Sequence, residues 1–173
     1  MKKFFVTIFL IIIFYVTQTS IFHHLALNGI IPDLMLILVC AYGFLRGETE
    51  GVVVGFFCGL LIDAFNANYL GFHSLIYMYI GFFNGMLNRL YIDDRIKLPI
   101  ICIGLSDLLS SLTTYCLQFL LNKNFHFAQY FLNIILPEFL YTVLVSVLLY
   151  PLVLTIEDKI VLSSFAKEED NAI

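Results

Sequence analysis

Six apolar segments follow one another along the sequence, and they constrain the fold more than any other feature does. They cover residues 4–22, 30–45, 51–65, 71–90, 98–121 and 130–156. A helix that crosses a bilayer needs about 20 apolar residues, with a range of about 17–25. The second and third segments are short by this measure. We expect them either to extend into the neighbouring loops or to lie buried among longer helices.

Charged residues are too rare for a soluble monomer. They make up 13% of the 173 residues, whereas 61% of the residues are hydrophobic. Typical soluble domains carry about 25% charged residues. The sequence therefore predicts an all-α integral membrane protein, with six transmembrane helices in one bundle over residues 1–160. A short cytoplasmic tail over residues 161–173 follows.

The distribution of basic residues predicts the orientation of this bundle. With six spans, eight of the nine Lys and Arg residues fall on the side of the N-terminus, and only Lys123 falls on the other side. Basic loops remain in the cytoplasm, so we expect a multi-pass protein of the plasma membrane with both termini cytoplasmic. The first segment has the basic start of a signal peptide. No A-x-A-like cleavage site follows it, so we expect it to remain as a helix.

Glycine recurs every fourth residue along the third segment, and the fourth segment repeats the pattern. The residues are Gly51, Gly55, Gly59, Gly81 and Gly85. Residues at this spacing lie near one face of a helix. In lipid, small residues on one face let a second helix approach closely. We predict that these faces either pack the third helix on the fourth or receive the spanning helix of a partner.

Two acidic residues lie towards the outer ends of predicted spans. Ionisable residues are costly in hydrocarbon unless they are paired or near the interface. Asp33 follows Pro32, so it either faces the N-terminus of its own helix or belongs to a functional site. Asp63 continues the glycine stripe and needs partners, such as His73, Asn66, Asn68 or backbone N–H groups. It either holds the following loop in place or contacts a partner protein.

Two further acids lie within predicted spans, Asp107 deeper in the fifth and Glu138 near the outer third of the sixth. Ser110 and Ser111 follow Asp107 by one helical turn and can satisfy its oxygens. Glu138 follows Pro137, which indicates one of two structures. The helix is broken there beside a cavity, or it begins at the proline after a short interfacial stretch.

Motifs for catalysis or metal binding are missing from the sequence. It contains no Gly-rich phosphate loop, no HExxH and no GxSxG, and no Cys or His spacing typical of a metal site. We therefore expect no enzymatic activity, no cofactor, no metal and no nucleic-acid partner. A third hypothesis, an intramembrane enzyme, has only Asp107 and Glu138 to support it.

Residues 31–89 resemble the MreD family, the small membrane component of the bacterial rod-shape or cell-elongation machinery. The resemblance is carried by Pro32-Asp33, by GLLIDAF at residues 59–65, by LGFHSL at residues 70–75, and by Gly81 and Gly85. Five polar or turn residues match positions of the family pattern: Pro32, Asp33, Asp63, Gly71 and His73. Beyond this region the resemblance depends on hydropathy alone.

The resemblance implies a non-enzymatic scaffold that regulates cell shape and cell-wall organisation. Its implied partners are an MreC-like bitopic protein, MreB-like actin filaments, a RodA-type glycosyltransferase and a penicillin-binding transpeptidase of peptidoglycan synthesis. A homodimer is left open. The family is also similar in fold to the S-components of energy-coupling-factor transporters. The alternative function is therefore a small-molecule-binding S-component-like transporter subunit, for which the acids near the outer side would form the site.

Overall fold

The regular structure is helical throughout the computed structural model, which describes residues 2–24, 26, 29–66, 71–90, 96–122 and 130–170. The helices are α1 (Lys2–His24), α2 (Leu34–Arg46), α3 (Glu48–Asn66), α4 (Phe72–Leu90), α5 (Lys97–Asn122) and α6 (Leu136–Asp170). Residues Phe131–Ile135 form a π-helical turn directly before α6. The predicted all-α class is confirmed, whereas the likeness to S-components stays a prediction.

Three stretches of these helices are long and apolar enough to cross a membrane: Phe5–Phe22, Lys97–Cys116 and Phe131–Lys159. Leu34–Arg46 is a shorter apolar helix. Large apolar side chains such as Leu144 and Leu148 are exposed on the surface of the bundle. A surface of this kind suits a bilayer rather than water.

The helix boundaries differ most from the predicted segments in α2 and α6. Helix α2 begins four residues later than its segment, because Pro32 and Asp33 precede its first turn. Helix α6 continues to Asp170, through most of the predicted tail. At Pro137 the chain combines both predicted structures, since α6 begins at Leu136 and continues directly from the π-helical turn. The Leu136 N–H bonds the Phe131 carbonyl there, and proline has no N–H to extend that pattern.

Helix α2 is short because it lies inside the bundle. Every residue from Leu34 to Phe44 is buried. An apolar helix that is covered on all sides is typical of a core element rather than of a surface helix. Leu10, Ile11 and Phe14 bring α1 into the same hydrophobic core. Of the two expectations for the short second segment, burial among longer helices is the one that the structure shows.

A single residue, Gly47, reverses the chain between α2 and α3. Its φ of 95° lies in the left-handed region, which side chains other than glycine rarely adopt. The Gly47 N–H donates to the Gly43 carbonyl at 2.9 Å, and the Gly47 carbonyl accepts from the Gly51 N–H at 3.0 Å. The last turn of α2 and the first turn of α3 therefore share this residue in their hydrogen bonding.

The glycines of α3 and α4 bring the backbones of these helices into direct contact. A methyl group added to Gly55 would overlap the Tyr77 carbonyl, and one added to Gly59 would overlap the backbone of Ser74. Gly85 meets the backbone of Glu48 in the same way. The two stripes thus pack against elements of the same chain.

Helix α2 joins this contact through a glycine that the sequence pattern did not single out. A methyl group on Gly43 would lie 2.7 Å from the Gly81 carbonyl oxygen, and one on Gly51 would lie 2.5 Å from it. Helices α2, α3 and α4 therefore meet at one point where none of them carries a side chain.

We predict that Gly55→Ala destabilises the bundle by about 1–3 kcal/mol, because the added methyl can be accommodated only by moving one backbone away from the other. Gly104→Ala is the matched control. Its nearest neighbours are side-chain atoms, Val143 Cγ2 at 3.0 Å and Phe139 Cε2 at 3.1 Å, which can shift. Melting temperatures in detergent, followed by far-ultraviolet circular dichroism, should fall further for Gly55→Ala. Equal losses for the two variants would contradict direct backbone packing.

Candidate functional site

The N-terminus of α2 is held by side chains from three other helices. Asp33 caps the helix, since its Oδ1 accepts from the Leu36 N–H at 3.0 Å. The Asp33 N–H donates to Thr142 Oγ1 of α6 at 3.2 Å, and the Met35 N–H donates to Gln18 Oε1 of α1 at 3.1 Å. The Tyr77 hydroxyl of α4 donates to the second oxygen of Asp33. Since a helix start inside a membrane protein has no bulk water to bind, these contacts satisfy its free N–H groups.

Asp63 performs the same task for α4, from the end of α3. Its two carboxylate oxygens accept from the backbone N–H groups of Gly71, His73 and Ser74 at 2.9, 3.1 and 3.1 Å. The Nδ1 atom of His73 lies 2.8 Å from Asp63 Oδ1. A carboxylate that accepts several N–H groups at a helix N-terminus is favoured by the dipole of that helix. Asp63 is 2% exposed, so these contacts account for a buried acid.

Among the partners expected for Asp63, His73 and the backbone N–H groups are the ones in contact with it. The side chains of Asn66 and Asn68 lie outside the described residues. Gly71 has a φ of 91°, which places it in the left-handed region immediately before α4. The contacts of Asp63 hold the start of α4 in place, one of the two roles weighed for it from the sequence.

A polar cavity of about 360 Å³ lies between the starts of α2, α4 and α6 and the second half of α5. We call it the polar cavity. Its polar lining consists of Gln18, Asp33, His73, Tyr77, Ser110, Ser111, Thr114, Tyr130 and Glu138. This volume lies at the lower end of the range typical of small-molecule sites, about 300–1,000 Å³. The cavity is the candidate functional site, because five of the family-pattern or buried acidic and basic residues meet at or beside it.

Glu138 and Asp107 occupy different positions relative to the polar cavity. Glu138 lines it, and the Ser111 hydroxyl donates to Glu138 Oε2 at 3.4 Å. Asp107 is 1% exposed and lies behind the wall, one turn before Ser110 and Ser111. Its charge interacts with those of Asp33 and Glu138, and the Thr142 hydroxyl faces its carboxyl group. Within the described part of the chain, Asp107 Oδ2 has no hydrogen-bond partner.

The opposite end of the bundle is closed by an ion pair that the sequence analysis missed. Arg46 Nε and Nη2 each lie 2.9 Å from an oxygen of Glu157, and both side chains are nearly buried. Such a two-bond pairing of guanidinium and carboxylate is the strongest type of protein ion pair. The Arg46 guanidinium also lies over the Tyr42 ring, 4.8 Å from its centroid. The only indication of this pair in the sequence was that Arg46 and Glu157 each stand at the end of an apolar segment.

The predicted polar site residues lie in two layers around the polar cavity. Asp33, His73 and Glu138 reach the polar cavity, and Asp63 and Asp107 lie in the layer behind it. The five glycines of the two stripes lie outside this site and pack helices together, and Pro32 is buried. Gln18, Tyr77 and Thr142 were not predicted. Their only signal was polarity within apolar segments.

We predict that Asp63→Ala lowers the stability by about 1–3 kcal/mol, since three backbone N–H groups lose their acceptor. Asp63→Asn should cost less because it keeps one acceptor oxygen. Asp158→Ala removes an exposed acid of α6 and serves as the control. Melting temperatures should fall in the order Asp63→Ala, Asp63→Asn, Asp158→Ala, and hydrogen exchange at Gly71–Ser74 should quicken in the first two. Unchanged exchange there would refute the role assigned to Asp63.

Removing one partner of the Arg46–Glu157 pair should be severe, because it leaves a nearly buried charge uncompensated. We expect Glu157→Ala to cost about 3–5 kcal/mol. Glu50→Ala is the matched control, since Glu50 is 52% exposed and lies 3.5 Å from Arg46; we expect less than about 1 kcal/mol there. The double variant Arg46→Met with Glu157→Met should regain most of the loss. Urea midpoints of the purified protein in mild detergent test this order, which equal effects of the two alanine variants would contradict.

Comparison with known protein families gives a match over most of the chain. Residues 1–159 match the model of the family described as MreD, rod shape-determining protein MreD. No curated protein and no solved structure matches the chain. The match extends well beyond residues 31–89, on which the resemblance was based. The chain belongs to the MreD family of rod shape-determining membrane proteins.

Proposed function

We propose that the protein is a non-enzymatic scaffold of the bacterial cell-elongation machinery. In this role it couples an MreC-like bitopic protein and MreB-like filaments to a RodA-type glycosyltransferase and a penicillin-binding transpeptidase. The single observation that carries the proposal is the family match over residues 1–159. The proposed topology is six spans in the plasma membrane with both termini cytoplasmic, as the distribution of basic residues indicates.

The packing of the glycines narrows the choice of partner surface. From the sequence, packing of α4 on α3 was the favoured role of the glycine stripes, and a partner helix was the alternative. Each of the stripe glycines lies against the backbone of its own chain. A partner that used these faces would have to displace α3 from α4. The proposed docking surface is therefore a different one.

A groove between α4 and α5 offers such a surface. Its volume is about 590 Å³, and most of its lining is apolar, including Leu75, Phe83, Leu105 and Leu109. Asn84 and Ser106 form a polar point within it, where Asn84 Nδ2 donates to Ser106 Oγ at 3.0 Å. Asn84 Oδ1 has no partner among the described residues, and lipid tails cannot donate to it.

The occupant that we propose for this groove is the single spanning helix of the MreC-like protein. In lipid, helices associate through close packing and a few interhelical hydrogen bonds, each contributing about 0.6–2 kcal/mol. The apolar walls supply the packing surface, and Asn84 and Ser106 supply polar groups for a Ser, Thr or Asn of the partner. Asn84 therefore favours a protein helix over a lipid as occupant.

Filling the groove should separate the partner from the scaffold. Leu109→Trp places a larger ring in the groove, whereas Leu144→Trp makes the same change on the exposed surface of α6. We expect Leu109→Trp to reduce recovery of the MreC-like protein from native membranes about tenfold, or about 1.4 kcal/mol. Leu144→Trp should leave recovery unchanged. Quantitative mass spectrometry after affinity purification in mild detergent provides the measurement.

The same purification tests the scaffold role itself. Recovery of a bitopic coiled-coil protein together with a cell-wall synthase supports the scaffold. If the wild-type and Leu109→Trp proteins each recover the same amount of the MreC-like protein, the assignment of the groove is overturned, whereas the scaffold role is not.

One observation favours the second candidate function, a small-molecule-binding subunit of S-component type. The polar cavity is large enough for a small molecule and is lined by convergent polar groups. Recovery of ATP-binding-cassette subunits in place of the cell-wall proteins would support this candidate and exclude the scaffold.

A further inference from the structure

The polar cavity is separate from the α4–α5 groove, and no lining residue belongs to both. Its walls come from all six of the described helices, including Ile62 of α3, so the cavity is a product of the tertiary fold rather than of one helix end. Most of its lining is polar, whereas most of the buried residues of the bundle are apolar. Contacts at the start of α2 account for Gln18, Asp33 and Tyr77, but they do not account for the hydroxyl groups of Ser110, Ser111 and Thr114 on α5.

The charges around the polar cavity are unbalanced. Two carboxyl groups, Asp33 and Glu138, line it, and no Lys or Arg does so among the residues that the structure describes. The lining His73 already contacts Asp63 through Nδ1. Asp107, nearly fully buried, adds a third carboxyl group whose charge interacts with both lining acids. Ionisable residues inside membrane proteins are almost always paired, yet no Lys or Arg of the described part of the chain pairs with these three, and the one basic neighbour of Asp33, His73, is shared with Asp63.

The hydrogen-bonding groups of the lining also favour a ligand that donates hydrogen bonds. The two oxygens of Asp33 are engaged by Leu36 and Tyr77, whereas Glu138 has only the long 3.4 Å contact from Ser111. The hydroxyl groups of Ser110 and Thr114 add acceptor lone pairs nearby. An ammonium group offers three donors and no acceptor, which complements a wall of carboxylate and hydroxyl oxygens.

We propose that the polar cavity binds the primary ammonium group of a small molecule or lipid, with Glu138 as its principal counter-charge. A compound with a protonated amine places a positive charge beside these carboxyl groups and donates hydrogen bonds to the oxygens of the lining. The same chemistry is available from two sources, a soluble amine or the headgroup of phosphatidylethanolamine. This site goes beyond the scaffold role, and its occupancy is measured without any partner protein.

The soluble source is tested with 1,4-diaminobutane. The full-length protein is placed in nanodiscs of phosphatidylcholine, whose quaternary ammonium has no N–H donor. Isothermal titration calorimetry with 1,4-diaminobutane should show saturable binding. Titration with 1,4-butanediol, which has the same length and no charge, should show none.

The lipid source is tested in nanodiscs that contain equal amounts of phosphatidylethanolamine and phosphatidylcholine. Native mass spectrometry after release from the bilayer should show retained phosphatidylethanolamine in preference to phosphatidylcholine. Diamine binding identifies a soluble ligand, and retention of lipid without diamine binding identifies the headgroup. Each of these results supports the ammonium site.

Substitutions of lining residues test whether the amine binds in the polar cavity. Glu138→Gln keeps the size of the side chain and should weaken binding at least tenfold. Glu50→Gln makes the same change at an exposed residue on the other end of the bundle and should leave binding unaltered. Ser111→Ala removes one hydroxyl without changing charge, so it retains the test if Glu138→Gln does not fold; we expect a threefold loss. The proposal is overturned if neither amine binds better than its matched control, or if Glu138→Gln and Ser111→Ala both bind like wild type.

Discussion

Direct contact between helix backbones is the constraint on which the rest of this structure depends. Gly59 allows α3 to lie against the backbone of Ser74 at the start of α4. Only at that separation can Asp63, one turn further along α3, reach the amide groups of Gly71, His73 and Ser74. The same approach brings Tyr77 to the Asp33 carboxylate. A side chain in the stripe would therefore disturb both carboxylates as well as the packing.

The two ends of the bundle use their polar groups in opposite ways. Near Arg46, the charges pair with each other and close the structure. Near Asp33, the polar groups first satisfy two helix starts and then leave a cavity with an excess of acid. The first arrangement pairs its buried charges, and the second leaves carboxyl groups without a Lys or Arg partner among the described residues. The second end is therefore the one for which we propose a binding role.

The sequence predicted what depends on local spacing and missed what depends on distant parts of the chain. The all-α membrane class followed from the six apolar segments, and close approach at Gly55 followed from spacing of four. The His73 contact of Asp63 was within reach because only ten residues separate the two. Arg46 and Glu157 are separated by 111 residues, and Asp33 and Thr142 by 109. Periodicity carries no information about such pairs, and for the same reason it cannot predict a cavity that is lined by all six described helices.

The one-residue reversal at Gly47 also has a consequence for how the protein is made. With Arg46 ending α2 and Glu48 beginning α3, a single residue joins the two helices into a hairpin. We expect the hairpin to insert as one unit, because the start of α3 cannot move far from the end of α2. In that unit the almost wholly apolar α2 lies beside α3, which carries the acids of the pair. On this expectation, α4 closes over the glycines of α3 only after the hairpin is in place.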